Sequence, residues 1–227
     1  MEILYKDSHI VVCIKPSGLL SARDASACAN MTDELGRELD VSEVYPVHRL
    51  DREVSGVMVY ALNPAAAAKL SAGAADHTKF VKEYYAVICG APDEPNGVFE
   101  DLLFKDTKRS KSFVVDKMRK GVKKAKLEYE VLEKIEDFSL VKVHLHTGRT
   151  HQIRVHMAHL GHALLGDEVY SSTKIRFEKL HAPLLDGQIL HAKKLTLTHP
   201  RTLERMEFES PLPENFERLL AILRERK

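Results

Sequence analysis

Apolar residues in this chain fall into short runs broken by turn residues, and that pattern most narrows the folds open to it. Ile3-Leu4-Tyr5 and His9-Ile10-Val11-Val12-Cys13-Ile14 read as short strands about an Asp7-Ser8 turn, ended by Lys15-Pro16-Ser17-Gly18. Residues 57–61, 80–89, 127–132 and 138–146 read as further strands, the last two with the period-two alternation of a half-exposed strand. Residues 189–198 and 204–209 make a closing pair about His199-Pro200-Arg201-Thr202. Four helices are predicted between and after them. One starts near Thr32, with Leu35 and Leu39 a turn apart. Another runs from Pro64 to Ser71 behind an Asn63 N-cap. A third covers residues 150–160 and is closed by Gly161. The last follows Pro213 and carries the stripe Phe216, Leu219, Leu220, Leu223. Strands and helices alternate without a regular βαβ rhythm. The expected fold class is therefore α+β, a largely antiparallel central sheet flanked by helices and loops. The 227 residues contain no evident linker, which predicts a single domain over 1–227.

No apolar run approaches the roughly 18 residues of a membrane span, and Met1-Glu2-Ile3-Leu4-Tyr5-Lys6 lacks the pattern of a secretory signal. Three cysteines, none in a C-x-x-C arrangement, fit a reducing cytoplasm. No heptad seam suggests self-association, so a monomer is expected. A net charge of +1 hides a strong local bias: residues 105–126 hold ten lysines and arginines against Asp106 and Asp116. Such a run serves a solvated, flexible lobe or an RNA-facing surface equally well, and only Phe113 offers a stacking ring within it.

Two segments carry the chemistry. Val47-His48-Arg49-Leu50-Asp51-Arg52-Glu53-Val54-Ser55-Gly56 places a carboxylate between two arginines just before a strand. Guanidinium groups nearby favour its ionised form, which can act as nucleophile or base. Taken alone, the pattern fits a surface ion pair at a strand entrance better than a nucleophile. The second segment is Thr147-Gly148-Arg149-Thr150-His151-Gln152-Ile153-Arg154-Val155-His156. His156 and His159, with His151 and His162 nearby, share the spacing of helical metal ligands, yet no H-E-x-x-H or cysteine pair accompanies them. No metal is expected. Neither a G-x-S-x-G elbow, a G-x-G-x-x-G loop nor a Walker loop is present.

Taken together and in order, these segments resemble the RluA-type pseudouridine synthases. His48-Arg49-Leu50-Asp51 with Ser55-Gly56 resembles their catalytic signature, and the run from Gly148 to His162, continued by Leu164-Leu165-Gly166-Asp167 and Tyr170, resembles their later motif. Lys82-Glu83-Tyr84-Tyr85-Ala86 lies between them as a Lys-x-Tyr-x-Ala motif. Lys15-Pro16-Ser17-Gly18-Leu19 looks like the family's opening, and Leu190-His191-Ala192 with His199-Pro200 like its closing strand pair. Val54 stands where the family usually has Thr, and Ser171 where it has Gly.

The resemblance implies isomerisation of uridine in RNA, either rRNA or a tRNA stem-loop, to pseudouridine without metal or organic cofactor. It implies Asp51 as nucleophile, Arg154 as its charge partner, and Tyr84 rather than Tyr85 stacked on the extruded uracil. His48, Arg49, Ile153, Arg149 and His151 become substrate-site residues: Arg49 facing the RNA, Ile153 an apolar floor, Arg149 and His151 touching phosphate or bracing the motif. The opening motif at Ile3 leaves no room for an N-terminal S4-type domain, so RNA binding is expected from the catalytic domain, with 105–126 as a lobe. A non-catalytic RNA-binding protein on the same fold is the competing reading, which an Asp51→Asn variant separates.

Overall fold

A computed structural model describes residues 1–26, 28–74, 79–171 and 187–225. The chain forms two compact units, Met1–Lys82 with Ala192–Pro211, and Glu83–His191 with Leu212–Lys227. In the first unit, β1 (Glu2–Lys6) and β2 (Ile10–Lys15) form an antiparallel hairpin. Asp7 makes the turn because its Oδ1 accepts the N–H groups of His9 and Ile10 at 2.7 and 2.8 Å. Strand β4 (Ser55–Ala61) runs antiparallel to β2, with Ile10 opposite Ala61 and Lys15 opposite Gly56, and the two-residue β3 (Tyr45–Pro46) pairs with the end of β4. Every residue of β4 is buried, which explains a run that is continuously apolar rather than alternating.

The unit is completed by the part of β10 (Leu190–Thr198) from Ala192 onward and by β11 (Arg205–Glu209), an antiparallel hairpin. Gly56 permits close packing here. At φ +123° its Cβ would stand 2.2 Å from the Ala192 carbonyl oxygen, so no larger residue fits. Helix α1 (Met31–Leu39) is capped by Asn30, whose side chain accepts from Asp33 N–H at 3.0 Å. Helix α2 (Pro64–Gly73) starts as expected, Asn63 accepting from Ala66 N–H at 2.9 Å. It lays Ala66 and Leu70 on a core of Ile10, Val12, Val57, Val59, Leu195 and Leu197.

The second unit is built on the antiparallel strand order β5-β9-β8-β6-β7, where β5 is Phe80–Cys89 (in this unit from Glu83), β6 Asn96–Asp106, β7 Lys111–Val115, β8 Val122–Ile135 and β9 Phe138–Leu145. The C-terminal helix α4 (Glu214–Glu225) presses Phe216, Leu219, Leu220 and Leu223 against Val87, Phe138, Leu140, Leu165 and Ile189. Each of these four buried side chains contributes about 1.5–3 kcal/mol. Helix α3 (Gln152–His159) ends with Gly161 at φ +93°. There His162 N–H reaches Met157 O and Gly161 N–H reaches Ala158 O, the paired bonds of a Schellman turn.

The α+β class and the antiparallel pairing agree with the sequence. The lysine-rich stretch differs from its description as a lobe without assigned elements: β7 and the first third of β8 lie inside it, and β6 was not foreseen. Among the described residues no helix is long and apolar enough to cross a membrane.

Candidate active site

Asp51 lies on the loop between β3 and β4, and the first unit fixes that loop through its backbone. Lys15, fully buried, donates from Nζ to three carbonyls: Pro16 at 2.8 Å, Leu19 at 2.6 Å and Arg52 at 2.9 Å. Burial pushes its pKa down to about 8, against the attraction of Glu53 and Asp51. Gly18 and Arg52 exchange bonds, Gly18 N–H to Arg52 O at 2.9 Å and Arg52 Nε to Gly18 O at 2.9 Å. Ser21 Oγ accepts from Leu50 N–H at 2.9 Å and donates to Leu50 O at 2.8 Å, so both backbone groups next to Asp51 are held by one hydroxyl. Val54 N–H closes the turn on Asp51 O at 3.1 Å. The Val54 side chain itself packs inward, 2% exposed.

The residues flanking the carboxylate divide. Arg49 and Arg52 are exposed and Asp51 is half-buried. His48 instead turns its ring edge-on to Phe80, centroids 5.3 Å apart, and its Nε2 accepts Val59 N–H at 3.2 Å. Burial, with a smaller repulsion from Lys82, holds its pKa down to about 3, so the ring is neutral and carries its proton on Nδ1. The histidine therefore sets the loop against β4.

In the second unit, Tyr84 is buried opposite Val143, whereas Tyr85 lies opposite Lys142 on the other face and stays partly exposed. The alternation that sequence reasoning invoked to separate these tyrosines is present. On α3, Ile153 and Arg154 are both buried. Arg154 forks onto Asp167, Nε to Oδ2 at 2.7 Å and Nη2 to Oδ1 at 2.9 Å, and its guanidinium lies 5.3 Å from the Tyr170 ring centroid. Asp167 Oδ1 also accepts the N–H groups of Val169 and Tyr170 at 3.0 and 3.1 Å.

Tyr170 ties this pair to the basic hairpin. Its hydroxyl accepts Ser112 N–H at 2.7 Å and lies 3.2 Å from His151 Nδ1. Burial raises its pKa, partly offset by the Ser112 bond and Arg154, so the hydroxyl keeps its proton. Lys111 Nζ reaches Val169 O at 2.6 Å, and Ser112 Oγ reaches Thr150 O at 2.7 Å. Arg149 Nε donates to Lys124 O at 2.9 Å. Arg149 and His151 therefore both make bracing contacts. The basic segment is thus fastened to the later motif through both β7 and β8 and is not a free lobe.

The structure brings Arg154 and His151 together on Tyr170. Asp51 and His48 belong to the first unit; Tyr84, Ile153, Arg154, Arg149 and His151 belong to the second. The histidines whose spacing hinted at metal go to separate partners: His156 stacks on Phe99 at 5.2 Å, and His162 Nδ1 lies 2.9 Å from Cys89 O. Lys15, Ser21, Asp167 and Tyr170 were not singled out for a role by sequence. The only signal was that three of them fall in stretches matching the family's opening and later motifs.

Comparisons with known proteins identify the family. A family model described as RNA pseudouridylate synthase matches residues 9–159, a span that includes Asp51, Tyr84 and Arg154. The ribosomal large subunit pseudouridine synthase D of Pseudomonas aeruginosa is 35% identical over 237 residues, covering 99% of this chain and 72% of that protein. The RNA pseudouridine synthase YlyB of Bacillus subtilis is 36% identical over 236 residues, covering 99% and 73%. The solved structure of human RNA Pseudouridylate Synthase Domain Containing 4 superposes with a TM-score of 0.81 at 26% identity, covering 98% of this chain and 93% of that one. Sequence, fold and motif order thus converge, and the chain belongs to the RluA-type RNA pseudouridine synthases, isomerases that convert uridine in RNA to pseudouridine.

Proposed function

We propose that this chain acts on specific uridines of rRNA or of a tRNA stem-loop, with Asp51 as the nucleophile on a flipped-out base. The observation that carries this reading is the rigid loop: Lys15, Ser21 and Val54 immobilise the backbone on both sides of Asp51. A carboxylate held this way needs little reorganisation to react.

The reaction breaks the bond from C1′ to N1 of uracil, turns the base and joins C5 to C1′. N1 gains a proton and C5 loses one, with no change in oxidation level, so the chemistry calls for no cofactor. The base leaves its stack at a cost of a few kcal/mol. Tyr84 stacks on the uracil and its hydroxyl handles the C5 proton. Arg154, oriented by Asp167, is a further catalytic residue. Ile153 gives the base an apolar floor. Arg49 faces the RNA, while His48, Arg149 and His151 hold the segments that bind it. The lysines of β7 and early β8 supply phosphate contacts.

Mapping pseudouridine across total RNA from cells lacking the gene, then restored with wild type or Asp51→Asn, tests this. The reading predicts a site lost on deletion, recovered by wild type and not by the variant. Recovery by Asp51→Asn would remove Asp51 from the role.

A further inference from the structure

The face of the second unit's sheet turned away from Tyr84 carries a cluster that the reaction does not use. Because Glu83 pairs with His144 while Tyr84 pairs with Val143, His144 projects from the opposite face to Tyr84. Glu128 stands directly across from His144 on β8. His146 follows two residues on, just past the end of β9, where the N–H groups of His146 and Thr147 both reach Lys126 O at 3.2 Å. Side chains two apart on a strand ordinarily project about 6.8 Å apart. Here the His144 and His146 rings stack with centroids at 4.4 Å and planes 26° apart. His146 Nε2 lies 2.9 Å from Glu128 Oε1, and one donor atom from each of the three residues lies within 4.8 Å of the others.

We propose that Glu128, His144 and His146 form a binding site for Zn²⁺ or a similar borderline divalent transition metal. Two imidazoles and one carboxylate suit such an ion and poorly suit Mg²⁺ or Ca²⁺, which take oxygen donors. Ligands at zinc distances in a tetrahedron stand about 3.3 Å apart. The present spacing therefore requires side-chain rotation alone: His146 and Glu128 part slightly as the ion replaces the proton they share, and His144 swings in. His146 and Glu128 are 16% and 45% exposed, leaving the fourth position to water. The adjacent lysines are already matched to other carboxylates, Lys126 to Glu100 and Lys142 to Glu130, both at 2.5 Å, so neither cation needs Glu128. An ion here would fasten the end of β9 that leads into Thr147, whose hydroxyl holds Gln152 at the start of α3. It is a structural site, separate from the isomerisation.

The test uses the full chain, stripped with chelator and titrated with ZnCl₂ by calorimetry, beside His144→Ala and Glu128→Gln, with circular dichroism to verify folding. The site predicts one equivalent bound at micromolar affinity or tighter, weakened at least tenfold in each variant. It also predicts a zinc-dependent rise in the melting temperature of wild type only, and no response to MgCl₂. Cobalt(II) adds a check: wild type should show the visible absorption of a four-coordinate ion, and His144→Ala should not. Absence of stoichiometric binding, or binding of equal strength in both folded variants, overturns the proposal.

Discussion

Asp167→Asn isolates a buried ion pair that positions a candidate catalytic group. Asp167 and Arg154 are 1% and 5% exposed, so neither charge is screened by water in the folded protein. The carboxylate receives four N–H groups: two from Arg154, and those of Val169 and Tyr170. An asparagine that keeps its oxygen at the Oδ1 position still serves three of them. Its amino group then faces Arg154 Nε, donor against donor, and the guanidinium loses the carboxylate that its fork grips. Removing one partner of a buried pair costs about 3–5 kcal/mol. At about 2–4 °C per kcal/mol for a chain of this size, the melting temperature should fall by roughly 6–20 °C.

Urea unfolding followed by circular dichroism measures the loss. Glu133→Gln is the control, because its pair with Arg224 at 2.6 Å lies on the surface and contributes at most about 1 kcal/mol. Adding Arg154→Met to Asp167→Asn removes the guanidinium as well, and the double-mutant cycle should show about 1–3 kcal/mol of coupling. The single variant should also lose most isomerase activity while still binding RNA. A loss below about 1 kcal/mol, or no coupling in the cycle, would refute the claim that Asp167 supplies the charge Arg154 needs.

Three further outcomes follow from the same reasoning. Burial holds His156 down to about 4, against the pull of Asp101, and neither ring nitrogen has a hydrogen-bond partner. The unfolded chain then takes up a proton that the folded one refuses, so this contribution is complete above about pH 6.5 and is lost as pH falls toward 4, on the order of 3 kcal/mol in all; His156→Leu should flatten that part of the stability profile measured by urea titration. Lys15→Met strands three carbonyls around the Asp51 loop and should cost on the order of 3 kcal/mol, with kcat falling far more than RNA affinity in single-turnover and filter-binding assays. Replacing Lys117, Arg119 and Lys120 together by Ala should weaken RNA binding and reduce the log–log salt slope by up to about 0.7–0.9 per lost phosphate contact, leaving single-turnover rates at saturating enzyme nearly unchanged.

Features written locally were legible in the sequence. The Asn63 cap, the Asp7 turn, the α4 stripe and the Gly161 terminator each depend on residues within one or two turns of chain, and each stands where the pattern puts it. Strands β6 and β7 were illegible for a definable reason. In β6 apolar Val98 is exposed alongside Glu100 and Lys105, and in β7 the one buried residue is Ser112 while Phe113, Val114 and Val115 are partly exposed, so burial does not follow an apolar alternation. The site was legible as far as motif residues go, but its supports were not. Lys15 reaches Arg52 across 37 positions and Ser112 meets Tyr170 across 58, and no local spacing announces such bonds. His48 shows the same limit: its place in the motif suggested a substrate contact, whereas its ring nitrogen serves the β4 backbone.

If Asp51 performs the isomerisation, tritium release by the purified enzyme depends on its carboxylate. Unmodified rRNA and tRNA transcripts labelled with tritium at uracil C5 lose the label to water when C5 becomes bonded to C1′. The account predicts release by wild type from at least one transcript, and none by Asp51→Asn at equal RNA occupancy. Release at the wild-type rate by Asp51→Asn, or none by wild type from any RNA it binds, would contradict it.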